Sequence, residues 1–127
     1  MEKQDLIKRL QELGIYNDFF MRKEIKPLAS VLKADEQLNC IITGVNEGNR
    51  KLVAITDKRI IVVFAGGLGS GEIKVINGKA VTSYEFIKKF LFPSAIIRTS
   101  NEEFCFTGTQ GSLADLFNWA MERLKNT

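Results

Sequence analysis

The stretch Arg59–Ala65, RIIVVFA, constrains the fold of this chain more than any other. Side chains along a strand alternate between the two faces of a sheet. Here both parities are apolar, which suits a strand covered on both of its faces. The glycine-rich GGLGSG, Gly66 to Gly71, follows directly. A glycine loop after a strand raises the question of a phosphate cradle. A P-loop needs GxxxxGK[ST], because the lysine neutralises the terminal phosphates and the hydroxyl holds magnesium. Gly66 and Gly71 have that spacing, but Glu72 stands where the lysine belongs. A dinucleotide fingerprint must open into a helix, whose N-terminus receives the pyrophosphate. The strand-like EIKVI follows instead. The glycines therefore read as a hairpin loop between two antiparallel strands, with no nucleotide bound.

Around this strand the chain changes period. Leu6, Ile7, Leu10 and Leu13 have helical spacing, and Gly14 follows as a stop. A second helix is expected over about 22–32, with Ile25, Leu28, Val31 and Leu32 on one side and Pro27 in its first turn. The aromatic joint IYNDFF must pack on something. From Gln37 onward LNCIITGV and KLVAIT read as strands around a turn containing Gly48. EIKVI and AVTSYEF flank Asn77-Gly78, a hairpin signal for a type I′ turn. SAIIRTS and EFCFTGT pair around Asn101-Glu102. The total is about seven short strands. A closing helix carries Leu113, Leu116, Phe117, Ala120, Met121 and Leu124 as one apolar stripe, with Ser112 and Asp115 at capping-box spacing.

Composition narrows the function. The length, 127 residues, suits one domain, and the net charge of +3 is too small to indicate a nucleic-acid binder. Histidine is absent, which removes the commonest general base and metal ligand. Cys40 and Cys105 form no CxxC pair and are expected to be buried, reduced thiols. Nothing resembles a secretory signal or a membrane span, so a cytoplasmic soluble protein is expected. No catalytic, cofactor-binding or metal-binding residue stands out.

Seven strands and one capped helix imply an α+β fold, a small antiparallel β-barrel or roll closed at one end by the helix. LVAITDKRIIVVF resembles the strand, Thr-Asp-Lys-Arg, strand signature of the bacterial pleckstrin-homology-like domains, in particular the YokE-like group. KEIKPLASVLKADEQLNCIITG resembles the start of that domain, and IIRTSNEEFCFTG its closing hairpin. The resemblance covers roughly residues 23 to 125. It divides the chain into an N-terminal helical arm, 1–22, and a PH-like domain, 23–127.

Such folds often bind phosphoinositide headgroups in eukaryotes through basic residues on the first strand pair. The resemblance thus implies Arg50 and Lys51 as candidate anion contacts, with Lys58 and Arg59 of the TDKR turn. The alternative for that turn is a solvated loop with a structural arginine salt bridge. KKFLFP, Lys88 to Pro93, is open to three readings: a bulged strand facing the core, a protein interface, or a segment dipping into a bilayer. Phe90, Leu91 and Phe92 are the candidate interface, together with Trp119, which stands at the flank of the helical stripe. Some bacterial relatives assemble as symmetric rings. The expected function is a non-enzymatic binding or assembly domain whose partner is a protein or a second copy of the chain, with the arm contributing apolar surface. The alternative is a peripheral module binding anionic membrane lipid.

Overall fold

The computed structural model describes the backbone of residues 1–15, 18–65 and 71–126, and the side chains of these except 18–23 and 65. Two helices, α1 (Lys3–Glu12) and α2 (Asp18–Val31), precede seven strands. The strands are β1 (Leu38–Asn46), β2 (Asn49–Thr56), β3 (Arg59–Ala65), β4 (Gly71–Asn77), β5 (Val81–Ile87), β6 (Ser94–Thr99) and β7 (Glu103–Thr107). A last helix, α3 (Ala114–Lys125), closes the chain. The strands form one antiparallel sheet in the order β4-β3-β2-β1-β7-β6-β5. The expected α+β fold of seven strands with a C-terminal helix is therefore present, but the sheet is not closed. β4 and β5 are consecutive in the chain yet occupy opposite edges. Among the described residues a single ladder pair, Val45–Thr107, joins β1 to β7, which divides the sheet into two leaves, β1–β4 and β5–β7.

The double-sided reading of RIIVVFA explains the layering. Ile60 and Val62 point into the space between the leaves, and Ile61 and Val63 point the other way. All four are buried. The inner core joins Ile42, Val53, Ile55, Phe104 and Phe106 to Phe117, Ala120, Met121 and Leu124 of α3. The apolar stripe of α3 thus faces inward as its spacing demands. Phe117 meets Phe86 with ring centroids 5.5 Å apart and Tyr84 edge-on at 6.1 Å. The outer core sets Leu6, Leu10, Ile25, Leu28 and Leu32 of the N-terminal segment against Leu38, Ile41, Leu52, Ala54, Ile61 and Val63. Leu6 and Leu10 are wholly enclosed. They cover this molecule's own sheet, so the apolar surface expected of the arm is not available for assembly at these two positions.

Local chemistry departs from expectation in several places. Asn77-Gly78 makes no hairpin, because β4 and β5 do not pair. Asn77 instead caps a 3-10 turn, Gly78–Ala80, accepting the Lys79 amide at 2.9 Å. Gly78 is required there by contact: a Cβ would meet Leu124 Cδ1 at 2.5 Å and the Lys58 carbonyl at 2.9 Å. The two-residue turn with both φ values positive occurs at Glu47-Gly48, between β1 and β2. Pro27 lies inside α2 rather than in its first turn, because the helix begins at Asp18. Ser112 sits in a 3-10 turn, Gly111–Leu113, and α3 starts after Leu113 with no side-chain cap. Cys105 is half-buried rather than buried, being on the outer face of β7, while Cys40 is buried; both thiols are free. The loop Gly66–Ser70, Tyr16-Asn17 and the Phe19 and Phe20 side chains lie outside the described residues.

Candidate interaction surface

The TDKR turn is a structural clasp. The Thr56 hydroxyl oxygen accepts the Lys58 and Arg59 amides at 3.1 and 3.0 Å, and its proton goes to Glu36 Oε2 at 2.8 Å. Arg59 grips Glu36 with both arms, Nε at 2.7 Å and a terminal nitrogen at 2.9 Å, and also donates to the Val31 carbonyl. Burial alone pushes the Glu36 carboxyl up; hydrogen bonds from Arg59, the Lys33 amide and Thr56 outweigh it and hold it below its ordinary range. Asp57 accepts the Gln37 amide at 2.9 Å, tying the turn to the residue before β1. Lys58 pairs with Asp35 at 2.7 Å.

The four candidate anion contacts therefore do not form one cluster. Lys58 and Arg59 stand at one end of β2, and Arg50 and Lys51 at the other. Arg50 donates to Thr43 Oγ1 at 2.7 Å, and Lys51 to Asn46 Oδ1 at 2.8 Å. The guanidinium expected to meet an anion is held by Glu36.

KKFLFP forms the connection between β5 and β6. Its side chains do not face the core. Phe90 is 99% exposed, Leu91 65% and Phe92 70%. The base of the loop is fixed, because Thr109 donates to the Pro93 carbonyl through its amide at 3.1 Å and its hydroxyl at 3.3 Å. Phe92 has φ 63°, a left-handed backbone that a bulky side chain rarely adopts. Lys88 and Lys89 are exposed beside the tip. Trp119 is 43% exposed on α3, with the Arg123 guanidinium 5.2 Å from its ring centroid, so it lies at the flank of the stripe.

One further feature was not visible in the sequence. Between the leaves, at the end that carries the β1–β2 turn, a groove of about 220 Å³ opens among Lys51, Val62, Phe64, Lys74, Phe104 and Phe106. Glu47 and Glu72 also line it. The Lys74 ammonium lies 4.7 Å from the Phe104 ring centroid and 3.2 Å from Glu102, across the split. These residues come from four strands, so no spacing along the chain announces them.

A curled antiparallel sheet of two leaves, filled by one C-terminal helix, defines a pleckstrin-homology-like module. The family model for the bacterial PH domain matches residues 32–118, and the chain belongs to that family. The fold is similar to that of a pleckstrin homology domain from Shewanella amazonensis SB2B, with TM-score 0.54 and 17% identity over 82% of this chain and 87% of that one. It is also similar to a DUF1696 family protein with a pleckstrin-homology domain from Shewanella loihica PV-4, with TM-score 0.51 and 15% identity over 87% and 98%. No curated protein matches the chain. The family fold is in general a non-catalytic module. No helix among the described residues is long and apolar enough to cross a membrane.

Proposed function

We propose that the protein is a non-enzymatic binding module that self-associates through the β5–β6 loop. One observation carries this reading: three consecutive apolar side chains, Phe90 to Phe92, stand in water at the tip of an anchored loop. Apolar surface of this kind is costly to leave wet and marks contact sites. The family's fold class and the lack of histidine support a role without catalysis. Two free thiols accord with a reducing, cytoplasmic setting.

Light scattering over a concentration series tests the reading. The wild type is expected to form an oligomer, and Leu91→Asp a folded monomer, since Leu91 contributes little to the core. A wild type that stays monomeric at high micromolar concentration overturns it.

A second reading is favoured by Lys88 and Lys89, which flank the tip and are exposed. Aromatic residues beside lysines suit the interface of an anionic bilayer. Sedimentation with phosphatidylserine vesicles, fading as salt rises, would support that reading.

A further inference from the structure

We propose that β4 of one copy pairs with β4 of a second copy, antiparallel and about a two-fold axis at Ile73, so that the sheet continues across two molecules. This contact goes beyond the β5–β6 loop and uses a different part of the surface.

β4 is an edge strand whose one ladder partner among the described residues is β3. Among those residues no backbone bond from outside that ladder reaches Gly71–Ile76. Gly71 to Val75 are all exposed. A strand in this state presents unpaired N–H and C=O groups that template a further strand. Its two faces are unlike. Ile73 and Val75 stand opposite Val63 and Ile61, so they continue the outer apolar face. The helices that roof Ile61 and Val63 leave Ile73 42% and Val75 47% exposed. Glu72 and Lys74 stand opposite Phe64 and Val62, on the inner side.

The order Glu72-Ile73-Lys74 commits the occupant to a second copy. Opposite residues of an antiparallel pair share a face, and a two-fold contact makes each pairing occur twice. With the axis at Ile73, Glu72 of each copy faces Lys74 of the other. Ile73 then faces Ile73, and Val75 lies diagonally beside the other Ile73, so the wet apolar pair is covered. Moved to Glu72 or to Lys74, the axis sets like charges face to face. Moved to Val75, it sets Lys74 against Ile76. One register alone therefore matches both charges. Glu72 has no ion pair among the described residues. Lys74 meets Glu102 at 3.2 Å with both side chains more than half exposed, a bridge of little worth, and an ammonium has donors for two carboxylates. Two short strands are marginal in water. The joint thus adds to the loop contact and does not by itself hold a dimer at the concentrations of light scattering.

Thiol trapping on the full chain tests the register, in a Cys105→Ser background that removes the half-buried native thiol. Ile73→Cys sets two thiols directly opposite, with Cα atoms about 5 Å apart and within disulfide reach. A disulfide dimer is expected on mild oxidation. Val75→Cys, at a similarly exposed position, leaves its thiols roughly 14 Å apart and should cross-link at least tenfold more slowly. Equal rates overturn the proposal. Charge is tested in trans on the Ile73→Cys chain. Glu72→Lys and Lys74→Glu should each lower the yield at least fivefold, and mixing these two chains should restore it as the mixed dimer, identified by mass. No contact within one chain can supply that rescue, and a mixture no better than its components overturns the proposal. Circular dichroism checks that each variant is folded. The trap at position 73 should persist, more slowly, when Leu91→Asp is added, because β4 is untouched. Register-selective trapping in a chain that never associates by light scattering leaves this contact standing and removes the loop reading; an oligomer without such trapping does the reverse.

Discussion

At the scale of single residues the clearest case is Arg59. Its guanidinium is the partner of a carboxylate whose side chain is 1% exposed. Breaking one side of a buried pair leaves the other charge uncompensated, so Arg59→Ala should lose about 3 kcal/mol in urea unfolding. Glu36 also sets a pH response. Its folded carboxyl is held below the ordinary value of 4.5. The contribution is whole above that value and is lost as pH falls through the depressed folded one. Glu36→Gln should therefore be less stable at neutral pH and show a flatter acid limb in thermal unfolding. The thiols differ by the same logic of burial. Burial pushes Cys40 up to about 12, whereas Cys105 is half-buried on β7. Thiol labelling of the native protein should modify Cys105 first and leave Cys40 until denaturant is added.

At the scale of elements, position rather than identity decides the effect. Leu10 belongs to a helix that the sequence marks plainly, yet only the packing shows that it roofs the outer face of the sheet. Leu10→Ala should cost about 3 kcal/mol, far more than a solvated helix would feel. Gly78→Ala should lower the melting temperature, because its Cβ has no room against Leu124 and the Lys58 carbonyl. RIIVVFA was legible because alternation with both parities apolar has one sheet solution. The stripe of α3 was legible because helical spacing is a local rule. Asn77-Gly78 misled for the converse reason. The pair has the local chemistry of a hairpin, but the strand partners are chosen by the whole sheet, and β4 and β5 lie at opposite edges. Phe90–Phe92 were ambiguous, since an apolar triplet reads the same in a core or at a loop tip. The groove was illegible, because Lys51, Phe64, Lys74 and Phe104 meet only after four strands have paired.

At the scale of the whole molecule, the two leaves have unlike outer faces. The β1–β3 face is apolar and roofed by helices. The β5–β7 face carries an ion ladder instead, in which Arg98 meets Glu103 at 2.8 Å and Glu85 at 3.5 Å. The single backbone bridge at Val45–Thr107 then has a mechanical consequence. Within each leaf the strands are stitched by continuous ladders, but between leaves the union depends on side chains and on α3 wedged in the interior. The molecule is built like a book whose spine is one stitch wide. Amides of β5, β6 and β7 should exchange with deuterium as a cooperative unit, ahead of those of β2 and β3, because opening that cover need not disturb the roofed one.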